Sequence, residues 1–388
     1  MHLRGLTRAR KLMIGTGSAA VLAALFIGQS AFHTAMAQCG LIAPHFDVDG
    51  QWPKPLPNKW VLGAVTGISV DADDHLWIIQ SSSAAGLSPV LEFDQAGNLQ
   101  RHWGGPGQGY DWPDSPDGIY IDYKGNVWIG GNGPNDSQIL KFTKDGKFVM
   151  QAGKKGARAA NSNDAGSFGR VGKIYVDPKQ NEAYVADGYL NKRVAVIDAD
   201  TGKIKRWWGA YGNKPNDAPL PAYDPSAPPA QQFRNPVACA VMSNDRTVYV
   251  CDKAGDRLQL FAPDGAFIRE EFFDKNTKNA GSVWDIAFSN AQQQFIYMAD
   301  GTNENVKLVN RRSLRIYTAF GNGGRQPGQF SGLNSIATDS KGNIYTAEAD
   351  GKRVQRFLNK GLAPVYARYQ GVPPISQSDK QIAYSCAF

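Results

Sequence analysis

From Val65 onward the chain is cut into short apolar runs separated by polar turns, and one unit returns six times: VTGISVDADDHLWIIQ from Val65, PDGIYIDYKGNVWIGG from Pro116, VGKIYVDPKQNEAYVAD from Val171, VACAVMSNDRTVYVCD from Val237, VWDIAFSNAQQQFIYMAD from Val283 and LNSIATDSKGNIYTAEAD from Leu333. Each unit reads as a strand, a polar turn and a second strand. The central apolar residues Ile68, Ile119, Ile174, Ala240, Ile286 and Ile336 are 51, 55, 66, 46 and 50 residues apart. Most copies continue into a third strand (VLEFD, ILKFT, VAVID, LQLFA, VKLVN, VQRFL) and, after a short turn, a fourth (LQRHWGG, KFVMQAG, IKRWWGA, FIREEFF, RIYTAFG). Four short antiparallel strands at this period are the signature of propeller blades around an axis.

The expected fold is therefore all-β, a six-bladed β-propeller with four antiparallel strands per blade. It would form a single domain over residues 38–388, with blades starting near 65, 116, 171, 237, 283 and 333. Nine Trp, 15 Tyr and 18 Phe suit the wedge-shaped packing that blade contacts need. Residues 45–62 could lend an edge strand to the last blade. The longest departure from the repeat, residues 210–233, is rich in Pro, Ala, Asn and Asp and is expected to be a loop on one face, either covering a site or simply tolerated.

The leading 37 residues read as a secretory signal: Arg4, Arg8, Arg10 and Lys11 precede an apolar run from Leu12 to Gly28 and then Ala35-Met36-Ala37. A periplasmic or secreted protein with no membrane span after cleavage is expected, an uncleaved anchor being the alternative. Removing four cations lowers the formal charge from +7 to about +3, and no basic block of five or more remains, which argues against nucleic acid. Four cysteines follow the leader. Cys239 and Cys251 flank the turn SNDR and would face each other across a hairpin, leaving Cys39 and Cys386 to join the chain ends. Buried free thiols are the alternative reading.

In an antiparallel hairpin the start of the first strand and the end of the second share one edge, so in every blade these ends project toward one mouth of the axial channel. Two residues before the central apolar position stand Thr66, Asp117, Gly172, Ala238, Trp284 and Asn334; the second-strand ends bring Gln80, Asp187 with Tyr189, Asp252 with Lys253, Asp300, and Glu348 with Asp350. Asp117 and Asp285 are candidate ligands for Ca²⁺, which favours carboxylate and carbonyl oxygen. The Asp that closes the second strand recurs with a basic residue a few positions on, as in Asp187 with Arg193 and Asp252 with Arg257, which suits a structural turn partner better than a ligand. No nucleophile elbow, paired-histidine zinc helix or phosphate loop is present.

The linker FGNGGRQPGQFSGLNSIATD and the body VYVCDKAGDRLQLFAPDG resemble those of the NHL-repeat propellers, over roughly residues 60–360. Within that group the arrangement is similar to the peptidyl-hydroxyglycine amidating lyases, and the resemblance implies an axial zinc on three histidines, served by a tyrosine and an arginine. Here VADGYLNKRVAVID keeps the tyrosine as Tyr189, VCDKAGDRLQLF has Lys253 where the lyases have arginine, and Asp117, Ala238 and Asn334 occupy the histidine positions. Ala238 cannot ligate and Asn334 is a poor zinc ligand, while His45, His75 and His102 fall away from the mouth, so a three-histidine zinc site is not expected. Two readings follow. In one, a monomeric propeller binds a small polar molecule or a protein segment at the mouth through Thr66, Asp117, Trp284, Asp285 and Asn334. In the other, a lyase or hydrolase uses Tyr189 as acid or base and Lys253 as electrostatic stabiliser, with calcium as the only cofactor candidate.

Overall fold

The structure is a computed structural model describing residues 40–81, 86–157, 161–290 and 292–376. The leader and the Cys39–Cys386 pairing lie outside the described residues. Turn chemistry explains why the hairpins form where they do. In blade 1 the turn residue Asp71 accepts main-chain N–H groups of Asp73 and His75 on Oδ1, at 2.9 and 3.0 Å, and the indole N–H of Trp77 on Oδ2 at 2.9 Å. Asp122 repeats this with Lys124, Asn126 and Trp128, and Asp339 with Lys341, Asn343 and the hydroxyl of Tyr345. One carboxylate thus closes each turn and fixes the aromatic side chain six residues on, which packs between blades.

Six four-stranded antiparallel sheets result. Blade 1 comprises Ala64–Val70, Leu76–Ser81, Val90–Phe93 and Leu99–Trp103. Blade 2 comprises Pro116–Ile121, Asn126–Gly131, Gln138–Thr143 and Phe148–Gly153. Blade 3 comprises Val171–Asp177, Glu182–Asp187, Arg193–Asp198 and Ile204–Trp208. Blade 4 comprises Val237–Met242, Val248–Asp252, Arg257–Phe261 and Phe267–Phe272. Blade 5 comprises Asp285–Phe288, Phe295–Asp300, Asn305–Asn310 and Ile316–Phe320. Blade 6 takes Leu333–Thr338, Ile344–Glu348 and Arg353–Pro364 from the end of the chain and Ile42–Val48 from its beginning as the outermost strand.

The edge strand begins earlier than residue 45 and ends at Val48. Beyond it Pro53, Pro55 and Pro57 remove the N–H donors a ladder would need. The apolar core is divided into wedges between neighbouring blades: Trp77, Ile79 and Val90 of blade 1, for example, pack with Ile119, Val127 and Phe142 of blade 2. Cys239 and Cys251 pair directly across blade 4 and form a disulfide. Among the described residues no helix is long and apolar enough to cross a membrane.

An ion pair recurs at the second-strand end of blades 3 to 6, and in blades 3, 4 and 6 it ties the blade to the linker before it. Asp187 with Arg193, Asp252 with Arg257 and Glu348 with Arg353 meet at 2.7 Å, and Asp300 pairs with Lys307 in blade 5. The guanidinium groups then donate to linker carbonyls: Arg193 to those of Ser162, Asp164 and Ser167, Arg257 to those of Ala230 and Gln232, and Arg353 to that of Gln329. These carboxylates are therefore committed to the scaffold.

Candidate functional site

The strand starts converge on the axis, and backbone irregularity aims their side chains into it. In five blades the register between the two innermost strands shifts at this end, at Val65/Gly67, Asp117/Ile119, Val171/Ile174, Val237/Cys239 and Leu333/Ser335. Such bulges re-aim side chains that strict alternation would point into a blade interface. The inner strands also approach closely. A Cβ at Gly67 would lie 2.8 Å from Gly118 Cα, and one at Gly118, where φ is +71°, would lie 2.6 Å from Gly172 O.

Thr66, Asp117, Tyr189, Ala238, Lys253, Trp284, Asp285 and Asn334 are brought to one axial cavity, together with Lys173 and Ser335. The cavity is small, about 30 Å³ open to water centres, which is room for roughly two or three waters or the end of a ligand but not for a whole drug-sized molecule. Thr66 and Asn334 act partly as struts: Thr66 Oγ1 donates to Pro116 O at 2.9 Å and Asn334 Nδ2 to Thr66 O at 2.8 Å, linking blades 1, 2 and 6 at the axis.

The deeper layer is a closed charge pair. Lys173 Nζ lies 2.7 and 2.8 Å from the two oxygens of Asp285. Asp285 also accepts Ser335 Oγ at 2.7 Å and the backbone N–H groups of Ile286 and Ile336 at 2.8 and 3.0 Å. Both oxygens are thus held by donors, and a calcium ion shared with Asp117 would have to displace an ammonium in contact with both of them. The donor set at Asp285 does not fit the cation.

The outer layer is less complete. Asp117 is 4% exposed, accepts Asn132 Nδ2 at 3.1 Å and is hydrogen-bonded by the Tyr189 hydroxyl. Burial pushes its pKa up to about 6 against the opposing pull of Tyr189 and Lys253. Burial, reinforced by the Asp117 carboxylate, holds the Tyr189 phenol well above its ordinary value. Lys253 is 9% exposed, and its Nζ sits 3.0 Å from the centroid of Trp284, whose indole N–H donates to Gly281 O at 2.8 Å. Among the described residues nothing accepts a hydrogen bond from Lys253 Nζ, and burial brings its pKa down to about 8, with Asp117 opposing. The layer therefore offers an acid, a hydrogen-bonded phenol and an ammonium that lacks an acceptor.

Lys173, Ser335 and Asn132 are the site residues that sequence reading missed. Lys173, Asp285 and Ser335 each stand immediately before a central apolar residue, and polar side chains recurring at that register were the available signal. The histidines lie elsewhere: His75 Nδ1 meets Glu92 at 2.7 Å and His102 Nδ1 meets Ser88 Oγ at 3.2 Å. Asp71, His75 and Glu92 form a cluster on blade 1, but Lys144, at 2.7 Å from Asp71, and Arg101, on Glu92, already neutralise it.

Fold and cavity together define a six-bladed propeller with a polar axial site at the strand-start mouth. The chain is homologous to NHL repeat-containing protein 3, that of Mus musculus being 25% identical over 335 residues, or 81% of this chain and 84% of that protein. It is also similar to the peptidyl-glycine alpha-amidating monooxygenase of Mus musculus, 24% identical over 241 residues, which are 55% of this chain and 22% of that longer protein. A solved structural genomics protein of unknown function from Bacteroides thetaiotaomicron superposes with a TM-score of 0.51 at 13% identity, over 83% of this chain and 77% of that one, which bears on the fold alone. No family model matches the chain.

Proposed function

We propose that this chain is an exported propeller that binds the polar end of a small molecule or protein segment at the axial mouth, and that this end carries a carboxylate or carbonyl oxygen. The observation that carries the reading is Lys253: a nine-tenths buried ammonium facing the cavity without an acceptor, with Asp117 and Tyr189 in the same layer. Leaving a buried cation without a hydrogen-bond partner is costly unless a ligand completes it. The leader-like first residues and the Cys239–Cys251 disulfide support export to the periplasm or beyond. Calorimetric titration with acetate, pyruvate, succinate and N-acetylated amino acids, with native mass spectrometry for anything that co-purifies, tests the proposal. Saturable heat from at least one compound, lost in Lys253→Met, is expected. Silence across the panel with no co-purifying molecule overturns it.

A second reading, a lyase or hydrolase, is favoured by one observation. Asp117 at about 6, Lys253 at about 8 and a phenol bonded to Asp117 form the kind of displaced acid–base set that proton transfer uses. Similarity to an amidating monooxygenase adds to it. Tyr189 would move the proton and Lys253 would stabilise developing negative charge. Turnover lost in Tyr189→Phe while ligand binding survives would establish this reading over the first.

A further inference from the structure

Beside the mouth, the segment following Gly212 arches over blades 3 and 4 and encloses a groove of about 650 Å³, large enough for several residues of extended chain. Its walls are Pro219, Leu220, Ala222 and Tyr223, and three cations from three different elements face it: Lys192, Arg234 and Lys278. No carboxylate lines it. Among the described residues none of these cations has an ion-pair partner, whereas Lys173, Arg193, Arg257 and Lys307 each have one. Lys192 is 8% exposed, and its ammonium reaches only the carbonyl of Ala218, at 3.0 Å. Asp217 and Asp252 act on it at longer range but are engaged with Ser162 and Arg257.

Lys192 is anchored on Ala218 O at 3.0 Å and Arg234 on Pro221 O at 2.8 Å, two different carbonyls of the proline-rich stretch, and Lys278 comes from a third loop. Cations on separate anchors suit a chain that presents carboxylates at intervals, and the apolar wall suits its intervening side chains. Tyr223 is not open for base stacking, because Arg234 covers its ring at 5.3 Å and its hydroxyl donates to Lys275 O at 3.0 Å.

From this arrangement we infer that the 210–233 segment builds a second binding site, a cationic groove that receives an extended acidic peptide segment of a partner. The site is independent of the axial mouth. Fluorescence anisotropy with a fluorescein-labelled octapeptide of alternating Asp, Glu and Ala tests it on the intact chain, against a peptide in which Asn and Gln replace the acids, and against a short polyphosphate. Expected are saturable binding of the acidic peptide at low salt, its weakening by about tenfold in Arg234→Ala/Lys278→Ala and by a smaller factor in Lys278→Glu, and no change in Lys253→Met. Lys278 is exposed, so its substitution leaves the fold intact even if the double variant is less stable. Unchanged affinity in Lys278→Glu, equal binding of the neutral peptide, or tighter binding of polyphosphate than of peptide overturns the proposal. Loss of binding in Lys253→Met alone would place the peptide in the mouth and also overturn it, while leaving the mouth proposal standing.

Discussion

Replacing Lys253 by Met tests whether the mouth is kept for function at the expense of stability. Burial takes the ammonium from 10.5 to about 8, and a difference of that size between folded and unfolded chains corresponds to about 3 kcal/mol against folding when both are protonated. Trp284, with its ring 3.0 Å from Nζ, returns about 1 kcal/mol through its π face. Lys253→Met retains the length of the stem and removes the charge, so it is expected to stabilise the protein by about 2 kcal/mol at pH 7. The sign with pH follows from the lowered value. The cost is fully present below pH 8 and is relieved as pH rises toward 10.5, so the variant's advantage should shrink over that interval. Urea denaturation of both proteins at pH 7 and pH 10, followed by tryptophan fluorescence, measures it. A variant less stable than the parent at pH 7, or an advantage that does not change with pH, would show that the ammonium is satisfied in the folded protein and refute the reasoning.

Asp285→Asn should destabilise by about 3–5 kcal/mol because it strands the Lys173 charge in the axis, and adding Lys173→Met should recover much of the loss; thermal unfolding of the single and double variants reads both. Gly118→Ala should cost about 2–4 kcal/mol, since its Cβ meets Gly172 O at 2.6 Å and its φ of +71° disfavours a side chain; a melting temperature within a degree of the parent's would contradict the close approach of blades 2 and 3. Peptide mapping without reduction should recover Cys239 linked to Cys251, and Cys39 linked to Cys386 if the second expected pair forms; removing the first pair should cost about 2–3 kcal/mol in denaturant.

The blades were legible because they repeat: a turn carboxylate and an aromatic residue six positions on, returning at Asp71, Asp122 and Asp339, mark a hairpin that local chemistry alone dictates. The mouth was legible for the same reason, since strand starts and ends fall together in every copy. Sequence reading lost its grip where the backbone leaves regular alternation. The shift between Val171 and Ile174 turns Lys173 into the axis, where it meets Asp285 from two blades away, and neither the bulge nor that partnership is written in a strand pattern. The engagement of Asp285 is hidden for this reason, because a carboxylate looks available to a cation until the ammonium that contacts it is known. The edge strand was placed only approximately, since Ile42–Val48 belongs to no repeat and is defined by a partner at the other end of the chain.

That partnership has a consequence for how the molecule is made. Val48 faces Phe357 and Phe46 faces Asn359, positions more than 300 residues apart. The first strand to be synthesised must therefore wait for the last blade, and the closing step carries the largest loop-closure entropy in the fold. Until it happens Arg353–Pro364 presents a free sheet edge, able to pair with the same strand of another molecule. Ring closure is thus also what removes the open edge of that intermediate, and a chain that is trimmed or held at its beginning should reveal this first as aggregation.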